Sequence, residues 1–467
     1  MCEGTTDWSL VISTAAFASG KTYTVNSRAY DKVTQPGANV EVDFGTFTFT
    51  FDKEKPSSQV DIPEEGKWYS SLETISGTSK DYPDPGGAGV KNVEIAIKRA
   101  NEPNPGYFWS GSTWVATVEW LGCSGTLNWT KSISTQAWTS GDRYNMFSRA
   151  TDNVDYPDAN VEDVDTGGAG RTFTYDNTPP VSVTTYPVNG LGYGNVTVIS
   201  GTAIDDIPDV VYPSGVKKVE VALQIDPPGG NYWDGDGWDS STVIWSTATM
   251  TGGTGDNEAQ WALGIATGTW ISGHWYRVYT KATDKVPQDA NVEPWTDNYI
   301  EFSVDVGKPW SVFTVPQDGA SYNSLPKLYG TADDDSVGVD KVEITIQNVT
   351  DSPYPYYQGG GSWLEGVKWL GCSITTTSPT AVDWEYEDAG LMWASAHDYK
   401  VQIKATDKVT DPAPNVEDVH SVTFSYDDQP PSCTVSDPGG DSFKNAQVQI
   451  TGTANDDYAG VDSVEIK

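Results

Sequence analysis

The stretch WALGIATGTWISGHWYRVYTKATD, residues 261–284, decides the fold because its aromatic and acidic positions recur at fixed intervals along the chain. Trp261 is followed by Trp270 after nine residues, by Tyr276 after six more and by Asp284 after another eight. The same residue classes with the same spacings begin at Trp8, Trp129 and Trp384. Fixed spacing in four copies indicates one supersecondary unit that the chain uses repeatedly.

The length of the repeat sets the domain organisation. The aspartates that end the four copies are 121, 132 and 123 residues apart, and a unit of that length can bury its own core. The 46 glycines, 28 prolines and 12% aromatic residues favour short strands joined by turns. We therefore expect an all-β fold of tandem sandwiches, three complete with a half-domain at each terminus. Proline pairs place the boundaries at 1–52, 53–177, 178–306, 307–428 and 429–467.

Charge and composition exclude several functions. A net charge of −37 disfavours nucleic acid and anionic membranes as partners. No apolar run approaches the ~20 residues of a membrane span. Four cysteines in 467 residues are too few for a disulfide framework. The chain has only three histidines and no Ser/His/Asp or Cys/His set recurs with them, so we predict no enzyme and no catalytic residues.

The order of the smaller motifs resembles a known family. Each repeat carries Gly-Thr-Ala or a looser variant, then acids, Gly-Val and a Val-Glu strand, and later an aromatic hairpin and Ala-Thr-Asp with Asn-Val-Glu. This order resembles the bacterial immunoglobulin-like, cadherin-like tandem repeats of large secreted or cell-surface proteins. The resemblance implies β-sandwich domains and an extracellular or cell-surface location. It also implies a tyrosine corner, in which the hydroxyl binds nearby backbone, at Tyr23, Tyr144, Tyr276 and Tyr399.

The two ends of the chain carry complementary parts of the repeat. Residues 1–52 hold only its later strands, and residues 429–467 hold only its earlier ones. A lone half would expose an apolar face and unpaired strand edges. One hypothesis is therefore a head-to-tail homopolymer, an extracellular filament or surface stalk in which the last half-domain of one chain is completed by the first half of the next. The other hypothesis is that these residues are a window of a longer polypeptide.

The cysteines bear on the joining of chains. Cys2, Cys123 and Cys372 share one repeated position, whereas Cys433 replaces a serine found in the other repeats. A joined domain would contain both positions, so an inter-subunit bridge between Cys2 and Cys433 is one alternative. Free thiols are the other, because Cys123 and Cys372 have no partner in their own repeats.

Repeated acidic residues predict calcium sites. In an immunoglobulin-like sandwich the loops after the second and sixth strands lie at one pole, beside the linker from the preceding domain. Calcium prefers about six to eight oxygen ligands in irregular geometry. The predicted ligands are Asp176, Asp205, Asp206, Asp284, Asn291, Glu293, Asp305, Asp333, Asp334, Asp335, Asp407, Asn415 and Glu417, with Asp52, Asp81, Asp84, Asp152, Asn160 and Glu162 in the first repeat. The alternative is that these residues only form turns.

Aromatic hairpins support a second function. Each complete repeat has aromatic residues on both sides of a glycine-containing turn, at Trp109, Trp114, Trp233, Trp238 and Trp363. Flat rings can stack on sugars, so a cell-surface adhesin that binds glycans is the alternative function. Cross-strand pairing that closes the hairpin is the structural explanation of the same rings.

Overall fold

The chain folds into a row of β-sandwiches. The computed structural model describes residues 2–100, 107–168, 170–205, 212–252, 258–376, 380–440, 443–446 and 449–467. Three two-sheet sandwiches follow one another, which we name domain 1 (53–177), domain 2 (178–306) and domain 3 (307–428). They lie between an amino-terminal piece (2–52) and a carboxy-terminal piece (429–467), each with one two-stranded sheet. Within the described ranges the only helices are the 3-10 turns Thr14–Ala16 and Thr135–Ala137, and none could cross a membrane.

The described residues of these units contain thirty-five strands. The amino-terminal piece contains β1 (Lys21–Ser27) and β2 (Gly45–Phe51). Domain 1 contains β3 (Ser57–Ile62), β4 (Lys67–Tyr69), β5 (Thr74–Lys80), β6 (Val90–Arg99), β7 (Tyr107–Trp109), β8 (Trp114–Val115), β9 (Leu121–Gly122), β10 (Asn128–Ser132), β11 (Arg143–Asp152) and β12 (Arg171–Tyr175). Domain 2 contains β13 (Val181–Tyr186), β14 (Gly192–Tyr193), β15 (Val198–Ile204), β16 (Val216–Ile225), β17 (Ser246–Thr247), β18 (Thr249–Gly252), β19 (Glu258–Gly264), β20 (His274–Asp284) and β21 (Tyr299–Val304).

Domain 3 contains β22 (Trp310–Val315), β23 (Ser321–Tyr322), β24 (Leu328–Asp333), β25 (Val339–Asn348), β26 (Tyr356–Gly359), β27 (Ser362–Leu364), β28 (Leu370–Gly371), β29 (Ser373–Ile374), β30 (Val382–Tyr386), β31 (His397–Asp407), β32 (Val409–Asp411) and β33 (His420–Tyr426). The carboxy-terminal piece contains β34 (Ser432–Asp437) and β35 (Thr451–Asn455).

Domain 3 illustrates the shared topology. One sheet has the order β22-β24-β30-β29, and the other has the order β23-β33-β31-β25-β26-β27. The short β23 runs parallel to β33, whereas the other pairings in these two sheets are antiparallel. This is an immunoglobulin-like sandwich, and the predicted all-β tandem fold is confirmed.

A tryptophan and a glycine join the strands of the smaller sheet. The indole ring of Trp384 on β30 lies over Gly330 on β24 and donates a hydrogen bond from Nε1 to the Thr331 carbonyl at 3.1 Å. A Cβ built on Gly330 would lie 1.9 Å from the Val312 carbonyl oxygen and 2.9 Å from the ring. Gly-Trp pairs at 77 and 129 and at 201 and 261 repeat the contact. The glycine of the Gly-Thr-Ala motif therefore makes room for the buried ring.

The tyrosine corners lie where the family resemblance implies, and the structure adds a second set. The hydroxyl of Tyr399 accepts a hydrogen bond from the Ala394 amide at 2.8 Å, five residues earlier. Tyr23, Tyr144 and Tyr276 make the same contact. On the first strand of the larger sheet, Tyr69, Tyr193 and Tyr322 likewise accept from the amide five residues before them. Each complete domain therefore has two tyrosines, buried or half-buried, whose hydroxyl groups close the turns before two strands of the larger sheet.

Replacing Gly330 by alanine tests the tryptophan contact. We expect Gly330→Ala to destabilise domain 3 by about 3 kcal/mol, because the added methyl group must displace both backbone and ring. The measurement is urea unfolding followed by tryptophan fluorescence. Gly371→Ala is the matched control, since a Cβ there meets nothing within 4 Å. Equal midpoints for the two variants would contradict this explanation of the glycine.

Candidate metal centre

Three aspartates meet at the start of each complete domain. One comes from the linker before the domain, one follows the second long strand and one ends the strand that carries the corner tyrosine. We name these sets cluster 1 (Asp52, Asp81, Asp152), cluster 2 (Asp176, Asp205, Asp284) and cluster 3 (Asp305, Asp334, Asp407). In clusters 1 and 3, one carboxylate oxygen of each aspartate lies within 4.8 Å of the other two.

The linker aspartate is held by both neighbouring domains. In cluster 3, Asp305 accepts hydrogen bonds from the Ser272 hydroxyl of domain 2 at 3.4 Å and from the Gly307 amide at 2.8 Å. Its other oxygen accepts from the Val337 amide of domain 3 at 3.4 Å. Asp52 and Asp176 have equivalent contacts, with Ser19 and Ala88 and with Ser140 and Ser214. The cluster therefore couples the orientation of one domain to the next.

The third aspartate organises the loop that follows it. Asp407 accepts hydrogen bonds from the amides of Val409 at 3.1 Å and Asn415 at 2.8 Å, and from the Asn415 side chain at 2.7 Å. The same side-chain amide donates to the Asp305 carbonyl of the linker at 3.3 Å. Asn160 and Asn291 occupy the same place in clusters 1 and 2. These hydrogen bonds explain why an asparagine follows the aspartate after seven or eight residues in each domain.

The second aspartate has an oxygen with no partner. Asp334 Oδ2 accepts from the Gly338 amide at 2.7 Å, but Asp334 Oδ1 is buried without a hydrogen bond. The equivalent oxygens of Asp81 and Asp205 are buried and unpaired in the same way. A buried, unpaired carboxylate oxygen is costly and rare. An ordered water or a bound ion is the usual partner of such an oxygen, and the oxygen recurs at one position of all three domains.

Burial and neighbouring acids disfavour the ionised form of several of these carboxyl groups. Burial, with Asp176 nearby, raises the pKa of Asp205 to about 6, and burial also raises the pKa of Asp305 to about 6, with Asp334 and Asp335 adding to the shift. Burial raises the pKa of Asp81, Asp284 and Asp407 too. Among the described residues, no salt bridge joins lysine or arginine to clusters 1 and 3.

The donor atoms suit a hard divalent cation. Clustered carboxylates with adjacent carbonyl oxygens are the ligands that Ca²⁺ prefers, whereas zinc sites generally include cysteine or histidine. The unpaired oxygens of Asp81, Asp205 and Asp334 would gain a partner from such an ion. Clusters 1 and 3 therefore offer a set of donor atoms that suits a divalent cation such as calcium.

Other predicted ligands lie in different surroundings. Asn291 and Asn415 join clusters 2 and 3 as described, and exposed Asp335 lies near Asp305 at the edge of cluster 3. The carboxylate of Asp333 caps the next amide, at 2.9 Å from the nitrogen of Asp334. Asp206 lies outside the described residues.

Glu293 and Glu417, which were also predicted as ligands, accept hydrogen bonds that join the two sheets. Glu417 accepts from the Ser311 amide at 2.7 Å and from its hydroxyl at 2.6 Å, and also from the Ala405 amide at 2.8 Å. Glu293 makes the equivalent contacts with Ser182 and Ala282. Glu162 does so with Ser58 and Ala150. Since these donors occupy the carboxylates, the glutamates belong to the sandwich and not to the clusters.

The aromatic hairpins pack onto the domain cores. The ring of Trp238 packs at a tilt against that of Trp233, with centroids 5.2 Å apart, and its centroid lies 5.0 Å from that of Tyr276. Its Nε1 donates to the Thr269 carbonyl at 2.8 Å. Trp109 and Trp114 pair in domain 1, and Trp363 packs between Tyr357 and Tyr399 in domain 3. The tryptophan rings therefore hold the hairpins closed by packing, as expected if cross-strand pairing is the role of these rings.

The cysteines are free thiols, and Cys2 and Cys433 are exposed. Burial raises the pKa of Cys123 to about 11 and that of Cys372 to about 12. These two thiols therefore serve as packing groups. The bridge between Cys2 and Cys433 of different chains stays a prediction.

One contact between domains was not predicted from the sequence. β14 of domain 2 pairs with β32 of domain 3, and the Gly194 amide donates to the Asp411 carbonyl at 2.7 Å. The Tyr186 hydroxyl also donates to the Asp411 carboxylate at 2.8 Å. The loop after the Ala-Thr-Asp motif therefore binds the preceding domain as well as its own cluster. In the sequence, the only signal for this contact is the dipeptide Lys-Val that recurs after that aspartate.

No protein-family model matches the chain, and no curated protein matches it by sequence. Among solved structures, the FN1–FN3 domains of chicken CNTN1 match at 9% identity and a TM-score of 0.27, covering 79% of this chain and 98% of that one. Domains A168–A170 of titin match at 10% identity and a TM-score of 0.28, covering 80% and 100%.

Acid titration of the cation-free protein tests the clusters. Asp205 and Asp305 hold protons in the folded state up to about pH 6, whereas the unfolded chain releases them near pH 4. Their stabilisation is present below the unfolded pKa and is lost as pH rises through about 6. We therefore expect the melting temperature in chelator to fall across this window. The double variant Asp205→Asn, Asp305→Asn should lose that part of the dependence, and an unchanged profile would contradict the assignment.

Proposed function

We propose that the chain is a structural segment of an extracellular filament or surface stalk, in which calcium binds clusters 1, 2 and 3 and stiffens the row of domains. The observation that carries this proposal is the buried, unpaired carboxylate oxygen at Asp81, Asp205 and Asp334. A cation there would complete the missing interaction in all three domains. The family resemblance to bacterial secreted and cell-surface repeats supports the extracellular location.

The position of the clusters supports a mechanical role. Each cluster includes the linker aspartate, which is already bonded to the domain before it and the domain after it. A cation bound to the three carboxylates would remove their mutual repulsion and add a strong electrostatic contact between linker and loops. The expected consequence is a narrower range of angles between neighbouring domains. Extracellular calcium modules commonly bind in the range of about 10⁻⁴ to 10⁻³ M, which suits a constitutive structural ion.

Calcium titration of Asp334→Asn tests the proposed function. Isothermal calorimetry on the wild-type chain should detect calcium binding, and Asp334→Asn should remove the heat contributed by cluster 3. The same variant should melt at a higher temperature than wild type in chelator, because one repelling charge is gone, yet gain less from calcium. Asp340→Asn is the matched control, since Asp340 is exposed on β25 outside the cluster.

The mechanical consequence is checked in solution. Small-angle X-ray scattering should show a larger maximum dimension and a stiffer profile for the wild-type chain in calcium than in chelator. The Asp334→Asn chain should keep flexibility at the junction of domains 2 and 3. Wild-type scattering and melting that do not change with calcium would overturn the proposed function.

Glycan binding by a cell-surface adhesin is the second candidate. It would need ring faces open to a sugar, whereas Trp109 is buried and Trp233, Trp238 and Trp363 pack on other rings. The structural segment is the stronger proposal because the clusters have an unsatisfied atom and the hairpins do not.

A further inference from the structure

We propose that domain 2 binds an uncharged polysaccharide on the outer face of its larger sheet. Five aromatic residues of this domain lie there, and we name them the aromatic face: Trp245, Trp275, Tyr279, Trp295 and Tyr299. They are distinct from the hairpin tryptophans, which pack on the domain cores. The inference goes beyond the proposed function, because it gives the chain a second ligand at residues that take no part in clusters 1 to 3.

The order of side chains along β20 places two of these rings on the outer face. Successive residues of a strand point to opposite sides of the sheet. Tyr276 and Val278 belong to the core of domain 2. Trp275 and Tyr279 therefore point away from that core. On the neighbouring β21, Tyr299 lies directly opposite Tyr279, with ring centroids 5.7 Å apart.

Two tryptophans extend the aromatic face to one side. Trp295 packs edge-to-face on Tyr279 with centroids 5.3 Å apart, and Trp245 packs on Trp295 in the same way at 5.3 Å. Tyr279 is 5% exposed and forms the floor of the face. Trp275 and Tyr299 are 46% and 42% exposed, and the other two rings are half-buried, so four rings are open to solvent. Trp275 and Tyr279 are about 13 Å apart along the strand, a span that suits a chain of sugars.

The two tryptophans at the side have free indole N–H groups. In the core, Trp261 and Trp270 donate from Nε1 to backbone carbonyls at 3.0 and 2.6 Å. Within the part of the chain that the structure describes, Nε1 of Trp245 and of Trp295 donates to no protein group, and neither atom is buried. Both donors are therefore available to a ligand. A ring with an apolar face and a free donor matches a sugar, which has C–H groups on its faces and hydroxyl groups at its edge.

The polar side chains of the aromatic face are held in fixed positions. The Arg277 guanidinium donates to Glu301 at 2.6 Å and to the Tyr279 hydroxyl at 3.0 Å, and it lies 4.0 Å from the centre of the Tyr299 ring. The Tyr279 hydroxyl in turn donates to Gln224 Oε1 at 3.1 Å. Groups that are already ordered can exchange hydrogen bonds with sugar hydroxyls at a lower entropic cost.

The charges of the aromatic face select an uncharged ligand. Lys281 lies 4.0 Å from the centre of the Trp245 ring and 3.6 Å from Glu220, and Arg277 is paired with Glu301. The protein itself thus supplies cations to two of the rings and acids to those cations. A quaternary ammonium ligand, which also binds aromatic rings, would be repelled by these cations. A polyanion would be repelled by the net charge of −37.

Domain 3 shows that the sandwich does not need these rings. Its residues at the positions of Tyr279, Tyr299 and Trp295 are Gln402, Ser421 and Val419. Gln402 lies opposite Ser421 just as Tyr279 lies opposite Tyr299. The long strands of the two domains nevertheless pair in the same order. The aromatic residues are therefore particular to domain 2, which a ligand site explains and a folding requirement does not.

Affinity electrophoresis of the full chain in native gels tests the inference. Each gel contains one uncharged polymer, which is mixed-linkage β-glucan, galactomannan or hydroxyethyl cellulose, together with chelator, so that clusters 1 to 3 do not affect the result. We expect at least one polymer to retard the wild-type chain. The double variant Trp295→Val, Tyr299→Ser introduces the residues of domain 3 and should weaken binding by about tenfold or more, because two rings are lost.

Two further variants separate the loss of the site from other effects. Trp275→Ala removes an exposed ring and should also weaken binding while the thermal unfolding of domain 2 stays unchanged. Trp310→Ala is the matched control, since Trp310 is 47% exposed on domain 3 outside the aromatic face, and its binding should equal that of wild type. No retardation by any of the three polymers would overturn the inference, as would equal retardation of wild type, Trp275→Ala and the double variant. Stronger retardation by polygalacturonate, an anionic polymer, would also overturn it.

Discussion

Buried like charges at the start of each domain are the constraint on which the arrangement of the chain depends. A carboxylate removed from water must find hydrogen bonds or an opposite charge. In clusters 1 to 3 the backbone amides of two loops and the linker satisfy most of the oxygens, so the acids also hold those loops in place. In this arrangement one carboxylate oxygen each of Asp81, Asp205 and Asp334 is buried and accepts no hydrogen bond.

The acidic residues of each repeat have two separate physical roles in this molecule. The aspartates gather at the pole, where linker and loops meet. The glutamate two residues beyond each asparagine turns into the sandwich and accepts from the first strand, as Glu293 does from Ser182. Sequence spacing could not separate the two, since all of these acids lie within a few residues of one another. The difference follows from which face of the strand each side chain occupies.

The junctions between domains share one plan and differ in strength. Domains 2 and 3 are joined by strand pairing between β14 and β32 and by the bond from Tyr186 to Asp411. Domains 1 and 2 have instead a hydrogen bond from the Ser70 hydroxyl to the Asp289 carbonyl at 2.7 Å and the Arg143 guanidinium over the Tyr212 ring. A contact through backbone pairs fixes orientation more tightly than one through a single hydroxyl. The junction of domains 2 and 3 is therefore held more tightly by protein contacts than the junction of domains 1 and 2.

The sequence by itself determined the repeat, the all-β fold, the sandwich domains and the aspartates that gather at each pole. These features depend on local spacing and on residues that every copy carries, such as the glycine beneath the tryptophan and the asparagine beside Asp407. Only the tertiary structure decided that Glu293 and Glu417 belong to the core, that the hairpin tryptophans are packed and that β32 reaches the preceding domain. The physical reason is that a side chain's role depends on what lies across from it in space, and contacts between distant strands or neighbouring domains leave no fixed interval in the sequence.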